Sequence, residues 1–550
     1  MADTVTTLAD ELVTVQLDAI PLGASVLGLG THPDRLDDLS EAAAAEQRIR
    51  YADIAARADA VPDTGLSDRE RITKALIKHE AASGIDLIDA AQIEFAVSDS
   101  FVSPAGDLLL SMPATSIDTP ELAEGYLARL AAVPEYLVAA ANRHRAGTES
   151  GRTMVRRLAE AALRYLTDDA ADQLRREPAD ATARFLARQE ELISSTVRPA
   201  LAAYRAAIAD LLARARTDEQ PGVCWLPDGE ATYTRLARVH TTTDRTAQDL
   251  HDTGIAIIEG LDEEYRELGS RVFGTTDLRA IFTHLSEDLS LRWESPQQVL
   301  DTARTALARA TEAAPRWFGV VAEEPCLVRP TPPGTASSAL PMYYMAPALD
   351  GSRPGTYFAN TENVTERSRT IAEVTAFHEG VPGHHFQFAL LGDQADVPVL
   401  HKIANANAYV EGWGLYSERL ADEMGLYSDD VARLGMLVYD SMRAGRLVVD
   451  TGMHALGWSR QRAVDFLRTR TPMTISEINT EIDRYIGYPG QALAYMVGRL
   501  EIQRLRAHAT AVLGDRFDLR GFHDAVLGSG RLPLAVLDTV IEEWIAVSGH

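Results

Sequence analysis

The chain has 550 residues, 46% hydrophobic and 24% charged, enough to bury a large core and far from the composition of a disordered protein. Its 80 acidic against 53 basic side chains leave a formal charge of -27, which disfavours nucleic acid and anionic membrane surfaces as partners. Two cysteines, Cys224 and Cys326, with no C-x-x-C spacing, argue against a disulfide framework or cysteine zinc knuckle and fit a reducing compartment.

Met1 to Val13 carries Asp3, Asp10 and Glu11 and no lysine or arginine, unlike the basic start and apolar stretch of a signal peptide. No apolar run approaches the roughly 20 residues of a membrane span. The expectation is a cytoplasmic protein without a membrane partner; a homodimer is open to it. Helical spacing and helix-forming composition predict helices over 39–58, 67–91, 119–145, 153–166 and 179–216. Ser67-Asp68-Arg69-Glu70 and Asp118-Thr119-Pro120-Glu121 read as helix starts. These elements suggest a scaffold over 1–325 and a catalytic region over 326–550, within one continuous unit.

The texture changes at the proline-rich break Val328 to Gly334. Pro341 to Pro347 and Gly355 to Asn360 then carry aromatic residues with Gly/Pro punctuation and predict a hairpin of short strands. Next comes His378-Glu379-Gly380-Val381-Pro382-Gly383-His384-His385, three imidazoles and a carboxylate in eight residues. Ile371, Val374, Thr375 and His378 fall on one helical stripe, so His378 sits on a buried face. The H-E-x-x-H signature of zinc hydrolases places two histidines at i and i+4. Here Pro382 occupies i+4, where it would clash with the His378 carbonyl and kink or bulge the helix. With two residues looped out, His384 takes the place of the second ligand. His385, at i+7 and about 10 Å further along an unbroken helix, is its competitor. Glu379 is then placed to take a proton from the attacking water. The alternative is a satisfied His/Glu cluster at a helix kink.

Downstream, Tyr409, Trp413, Tyr416 and Leu420 mark an apolar helix face, while Glu411 and Glu418 share another. Glu411 suits a third ligand and Glu418 an acceptor that orients an imidazole. On the next helix, Asp430 to about Trp458, Arg443, Arg446, Asp450 and His454 form one polar line, with Arg446 and Asp450 able to pair at i, i+4. If that line faces an internal cavity, Arg443 or Arg446 could receive a substrate carboxylate, and His454 joins the catalytic candidates. The glycine-rich Arg484 to Arg499 segment opens a helix and offers Tyr488 and Tyr495 to a developing oxyanion.

Together, H-E-G-V-P-G-H-H-F-Q (378–387), E-G-W-G-L-Y-S-E (411–418), V-V-D-T-G-M-H-A-L-G-W (448–458) and Y-P-G-Q-A-L-A-Y (488–495) resemble the bacterial family named domain of unknown function 885. Asp350 to Gly355 resembles that family's hairpin. The family in turn looks like the helical zinc peptidases, the Taq-type carboxypeptidases and the thimet oligopeptidase group. The resemblance implies a mostly α, large elongated zincin-like fold with a deep groove and a small sheet near the site. It also implies one zinc ion (other divalent metals being open) on His378, His384 and Glu411. Glu379 would act as base, with Tyr488 and Tyr495 on the oxyanion. Dipeptidyl peptidase III, with H-E-x-x-G-H, is a precedent for an insertion that keeps the ligand.

The expected activity is hydrolysis of short peptides from the C-terminus, with Arg443, Arg446 or Arg353 on the terminal carboxylate. Two rivals remain: a metal-free peptide- or metabolite-binding protein on a peptidase scaffold, and a metal-dependent hydrolase of non-peptide amides.

Overall fold

The computed structural model describes residues 3–178, 181–332, 342–394 and 396–549. It is mostly helical with one small sheet. The expected helices form with modest shifts at their ends: Glu41–Ala60, Asp68–Ala90, Pro120–Glu149 and Arg156–Tyr165. Ser67 and Glu70 close a reciprocal capping box, and Thr119 accepts the Leu122 N–H in front of Pro120.

The helix expected over 179–216 is a correction. Residues 179 and 180 lie outside the described residues, and the rest divides into Ala183–Leu192, a π turn at Ile193–Val197 and Arg198–Leu211. Pro199 has no N–H to continue the i to i−4 ladder, and the Arg198 N–H bonds the Ile193 carbonyl instead.

The proline-rich stretch is also more ordered than its composition suggests. Leu327–Pro330 forms strand β1, Met342–Met345 β2 and Thr356–Ala359 β3, in the order β1-β3-β2. The expected hairpin is the antiparallel pair β2 and β3, with Met342 opposite Ala359 and Met345 opposite Thr356. β1 adds parallel to β3 with Leu327 opposite Thr356, and Pro330 ends this edge strand, where a missing donor costs least. Pro333, Gly334 and Pro341 lie outside the described residues.

The largest core cluster draws side chains from Phe95 through Ile545 and includes Phe377, Phe386, Tyr409, Trp413 and Tyr416. Two close helix crossings hold the site within it. Asn407–Glu423 crosses Ala494–Leu513 where Gly412 meets Gly498, so closely that a Cβ on either would strike the other backbone. Asp430–His454 runs against Ala247–Phe273, where a Cβ on Gly254 would come 2.8 Å from the Ala444 carbonyl oxygen. No helix among the described residues is long and apolar enough to cross a membrane.

Candidate metal centre

The metal segment is broken rather than kinked. One helix runs Ala372–Glu379, stops, and a second starts at His384 and runs to Asp393. The intervening Gly380–Gly383 is non-helical, and its Val381–Pro382 peptide is cis. Gly383 packs onto the His378 carbonyl where a Cβ would collide. The break is clamped from the neighbouring helix, since Trp413 Nε1 donates to the Pro382 carbonyl at 2.9 Å and Ser417 Oγ to the Phe377 carbonyl at 3.1 Å.

This break brings His384 beside His378, the ring centroids 4.7 Å apart and the planes nearly perpendicular at 86°. Glu411 reaches both, with one carboxylate oxygen 3.6 Å from His378 Nε2 and 3.3 Å from His384 Nε2. A tetrahedral ion with bonds of 2.0–2.1 Å separates its donors by roughly 3.3 Å, close to these two spacings. Glu379 stands with the same histidines: one donor atom each from His378, Glu379 and His384 lies within 4.8 Å of the others. Space for the imidazoles comes from Gly414, whose Cβ would sit 2.7 Å from His378 Cε1 and 3.0 Å from His384 Cε1.

His378 is oriented from behind. Its Nδ1 donates to Glu418 Oε1 at 2.8 Å, and both side chains are buried. Burial pushes the imidazole down, but the hydrogen bonds to Glu411 and Glu418 outweigh it and raise His378 to about 9. Burial likewise pushes the Glu411 carboxyl up, and the two imidazoles reverse this, holding it well below its ordinary range.

His385 turns to different partners, its Nε2 donating to the Glu324 carbonyl at 2.8 Å and its Nδ1 accepting from the Tyr344 hydroxyl at 3.0 Å. Tyr495 lies nearly parallel to His378, 22° and 6.4 Å apart, and is half-buried. Burial and the Glu411 charge raise its phenol, while Arg446, Arg484 and Arg443 oppose that shift. Tyr488 is packed edge-on to His240 at 4.9 Å and to Phe101 at 5.7 Å, and burial pushes it up to about 12.

The polar line of the Asp430–His454 helix is divided among separate partners. Arg443 lies over the Tyr439 and Tyr495 rings at 4.2 and 5.4 Å, with Glu418 3.9 Å away. Arg446 does not pair with Asp450. It donates to the Tyr485 hydroxyl and to Glu481, each at 2.8 Å, because the Ile475–Gly487 helix brings a closer acceptor pair. Asp450 instead accepts from the Tyr233 hydroxyl at 2.6 Å and from the Gly490 N–H at 3.2 Å.

His454 accepts from the Val223 N–H at 3.1 Å and donates to the Tyr485 carbonyl at 3.0 Å, and burial lowers it to about 4. A neutral imidazole with both nitrogens occupied by backbone joins packed elements and has no site for proton transfer. Arg353 donates to the Val26 and Ala346 carbonyls at 3.4 and 3.2 Å, tying its turn to the N-terminal helices.

Sequence reasoning does not single out Gly414 or Tyr344, and it reads Trp413 only as part of an apolar helix face. Gly414 alone carries a signal, because a glycine inside a helix costs about 1 kcal/mol against alanine and calls for a packing reason.

Two solved structures share the fold. The putative lipoprotein from Colwellia psychrerythraea superposes with a TM-score of 0.89 at 25% identity, covering 100% of both chains. A putative lipoprotein of unknown function from Shewanella oneidensis has a TM-score of 0.77 at 17% identity, covering 98% of this chain and 100% of that one. No curated relative matches. A family model of bacterial proteins of unknown function, DUF885, matches residues 21–541, and the chain belongs to that family.

Proposed function

We propose that this protein is a zinc-dependent peptidase of zincin-like fold that hydrolyses short peptides from the C-terminus. The observation that carries the reading is the convergence of His378 Nε2, His384 Nε2 and one Glu411 oxygen at donor spacings of 3.3 and 3.6 Å. Those three residues would hold the ion, which when bound supplies Lewis acidity to a water and a peptide carbonyl. Glu379 follows His378 directly and takes the proton of the attacking water, then returns it to the leaving amine. Tyr495, stacked along His378, donates its hydroxyl to the oxyanion, and Tyr488, packed on His240 and Phe101, is the second candidate for that role.

Metal content and turnover test this together. The protein purified without chelators or a histidine tag should carry about one zinc per chain, lost in H378A. E379Q should keep the metal and lose turnover of a dipeptide library. An E379Q protein with full activity would falsify the base assignment.

One observation favours a second reading. Glu411 lies within ion-pair distance of both imidazoles, so the cluster can stand as an ion-pair network in a metal-free peptide- or metabolite-binding protein. Absence of zinc after reconstitution, with micromolar ligand binding indifferent to chelators, would select it. Turnover of small amides but not dipeptides would select a non-peptide amidase. The related structures are described as lipoproteins, so an envelope location stands against the cytoplasmic one, and cell fractionation decides.

A further inference from the structure

The arginines around the centre differ in what already holds them. Arg446 is spent on Glu481 and Tyr485, Arg353 on two backbone carbonyls, and Arg443 stands beside Glu418. Arg531 is different. Among the described residues its side chain forms no ion pair and donates no hydrogen bond, while its buried Nε lacks a partner as do those of Arg353 and Arg443. The charged and titratable neighbours are Glu80 and Tyr409, and both are engaged elsewhere. Glu80 accepts from the Asn405 N–H and the Gln16 amide, and Tyr409 donates to the Val526 carbonyl.

Arg531 is also close to the metal ligands. Its guanidinium lies 4.8 Å over the Phe388 ring, and Phe388 lies 5.8 Å from His384 with the ring planes only 22° apart. Phe388 is four residues after His384, so the two share a helix face.

Gln387 supplies a second, independent observation. It is 3% exposed and three residues after His384, and its one polar contact is with the Tyr409 hydroxyl, too poorly aligned to satisfy either end of the amide. A buried amide so poorly paired costs about 1–3 kcal/mol, a cost that a ligand oxygen accepting from its nitrogen would relieve. Tyr409 neighbours both side chains, the Gln387 amide by contact and the Arg531 guanidinium by charge.

We propose that Arg531 and Gln387 form the subsite that receives the terminal α-carboxylate of a peptide. The guanidinium fork takes the two carboxylate oxygens and the Gln387 amide nitrogen adds a further donor. The inference rests on the peptidase reading and gives it a direction. Extended peptide spans about 3.3–3.6 Å per residue, so a carboxylate held across the Phe388 ring leaves a peptide bond one or two residues upstream beside His384. The enzyme then removes a C-terminal residue or dipeptide and discriminates against blocked C-termini.

Calorimetric titration of alanyl-phenylalanine and of its C-terminal amide tests this without requiring turnover. Wild-type protein should bind the acid at least tenfold more tightly than the amide. R531Q should lose that preference while binding the amide as before, R531K should keep part of it, and Q387E should reverse it by like-charge repulsion. Zinc content and melting temperature are recorded for each variant, and R531K, which keeps the charge, guards against a misfolded R531Q. Equal affinities for acid and amide in wild type, or an acid preference that survives in both Arg531 variants, overturns the subsite. Loss of zinc from wild type, by contrast, overturns the metal reading while the acid preference still reports on Arg531.

Discussion

His378 and Glu418, 40 residues apart in sequence, meet at 2.8 Å through Nδ1 and Oε1 in a fully buried pair. The bond holds the imidazole by its Nδ1–H and turns Nε2 towards Glu411 and His384, the nitrogen that would bind an ion once neutral. Glu418→Ala should therefore weaken zinc binding by about 10–100-fold, the usual cost of removing the acceptor behind a ligating histidine. Competition against a chromophoric chelator reads this directly; an unchanged affinity would remove Glu418 from the centre.

His384 and His385 are adjacent but face different partners, and their variants should separate. His384→Ala should abolish stoichiometric zinc with little loss of stability. His385→Ala should retain zinc yet destabilise by about 1–3 kcal/mol, because it strands the Glu324 carbonyl and the Tyr344 hydroxyl. Zinc analysis beside urea unfolding of both proteins would show it, and the reverse pattern would make His385 the ligand.

Gly414 is the least obvious component of the centre. A methyl group there would press on His378 at 2.7 Å and His384 at 3.0 Å. Gly414→Ala should reduce zinc affinity at least tenfold although alanine favours the helix by about 1 kcal/mol. Wild-type affinity in this variant would mean that the rings are free to shift.

Asp450 should give the fold a pH dependence remote from the His378 cluster. Burial is the leading cause that pushes its carboxyl up to about 7, against the Tyr233 and Gly490 hydrogen bonds and the Arg484 charge. The unfolded chain releases this proton near 3.8, whereas the folded chain holds it until about 7. The contribution to stability is therefore complete below pH 4 and is lost as pH rises to 7, amounting to on the order of 4 kcal/mol. Asp450→Asn abolishes the titration, so its stability relative to wild type should rise between about pH 4.5 and about pH 7.5. Urea midpoints at the two ends measure this, and a constant difference would count against a raised Asp450.

Much of the molecule is legible in the chain itself. Helical periodicity and capping residues locate the long N-terminal helices, because amphipathic spacing and local hydrogen bonds are properties of neighbouring residues. The cluster His378, Glu379 and His384 is legible for the same reason, since its residues lie within seven positions of one another. What the chain leaves open is the choice among chemically equivalent partners. Arg446 finds Glu481 rather than Asp450, and His454 finds two backbone groups. Arg531, 147 positions after His384, arrives beside Phe388 with no local pattern to announce it. Residue type and spacing determine what a side chain is able to do. Only tertiary packing decides which acceptor reaches it, because burial makes every unpaired polar group costly and the nearest partner in space is set by helices far apart in sequence.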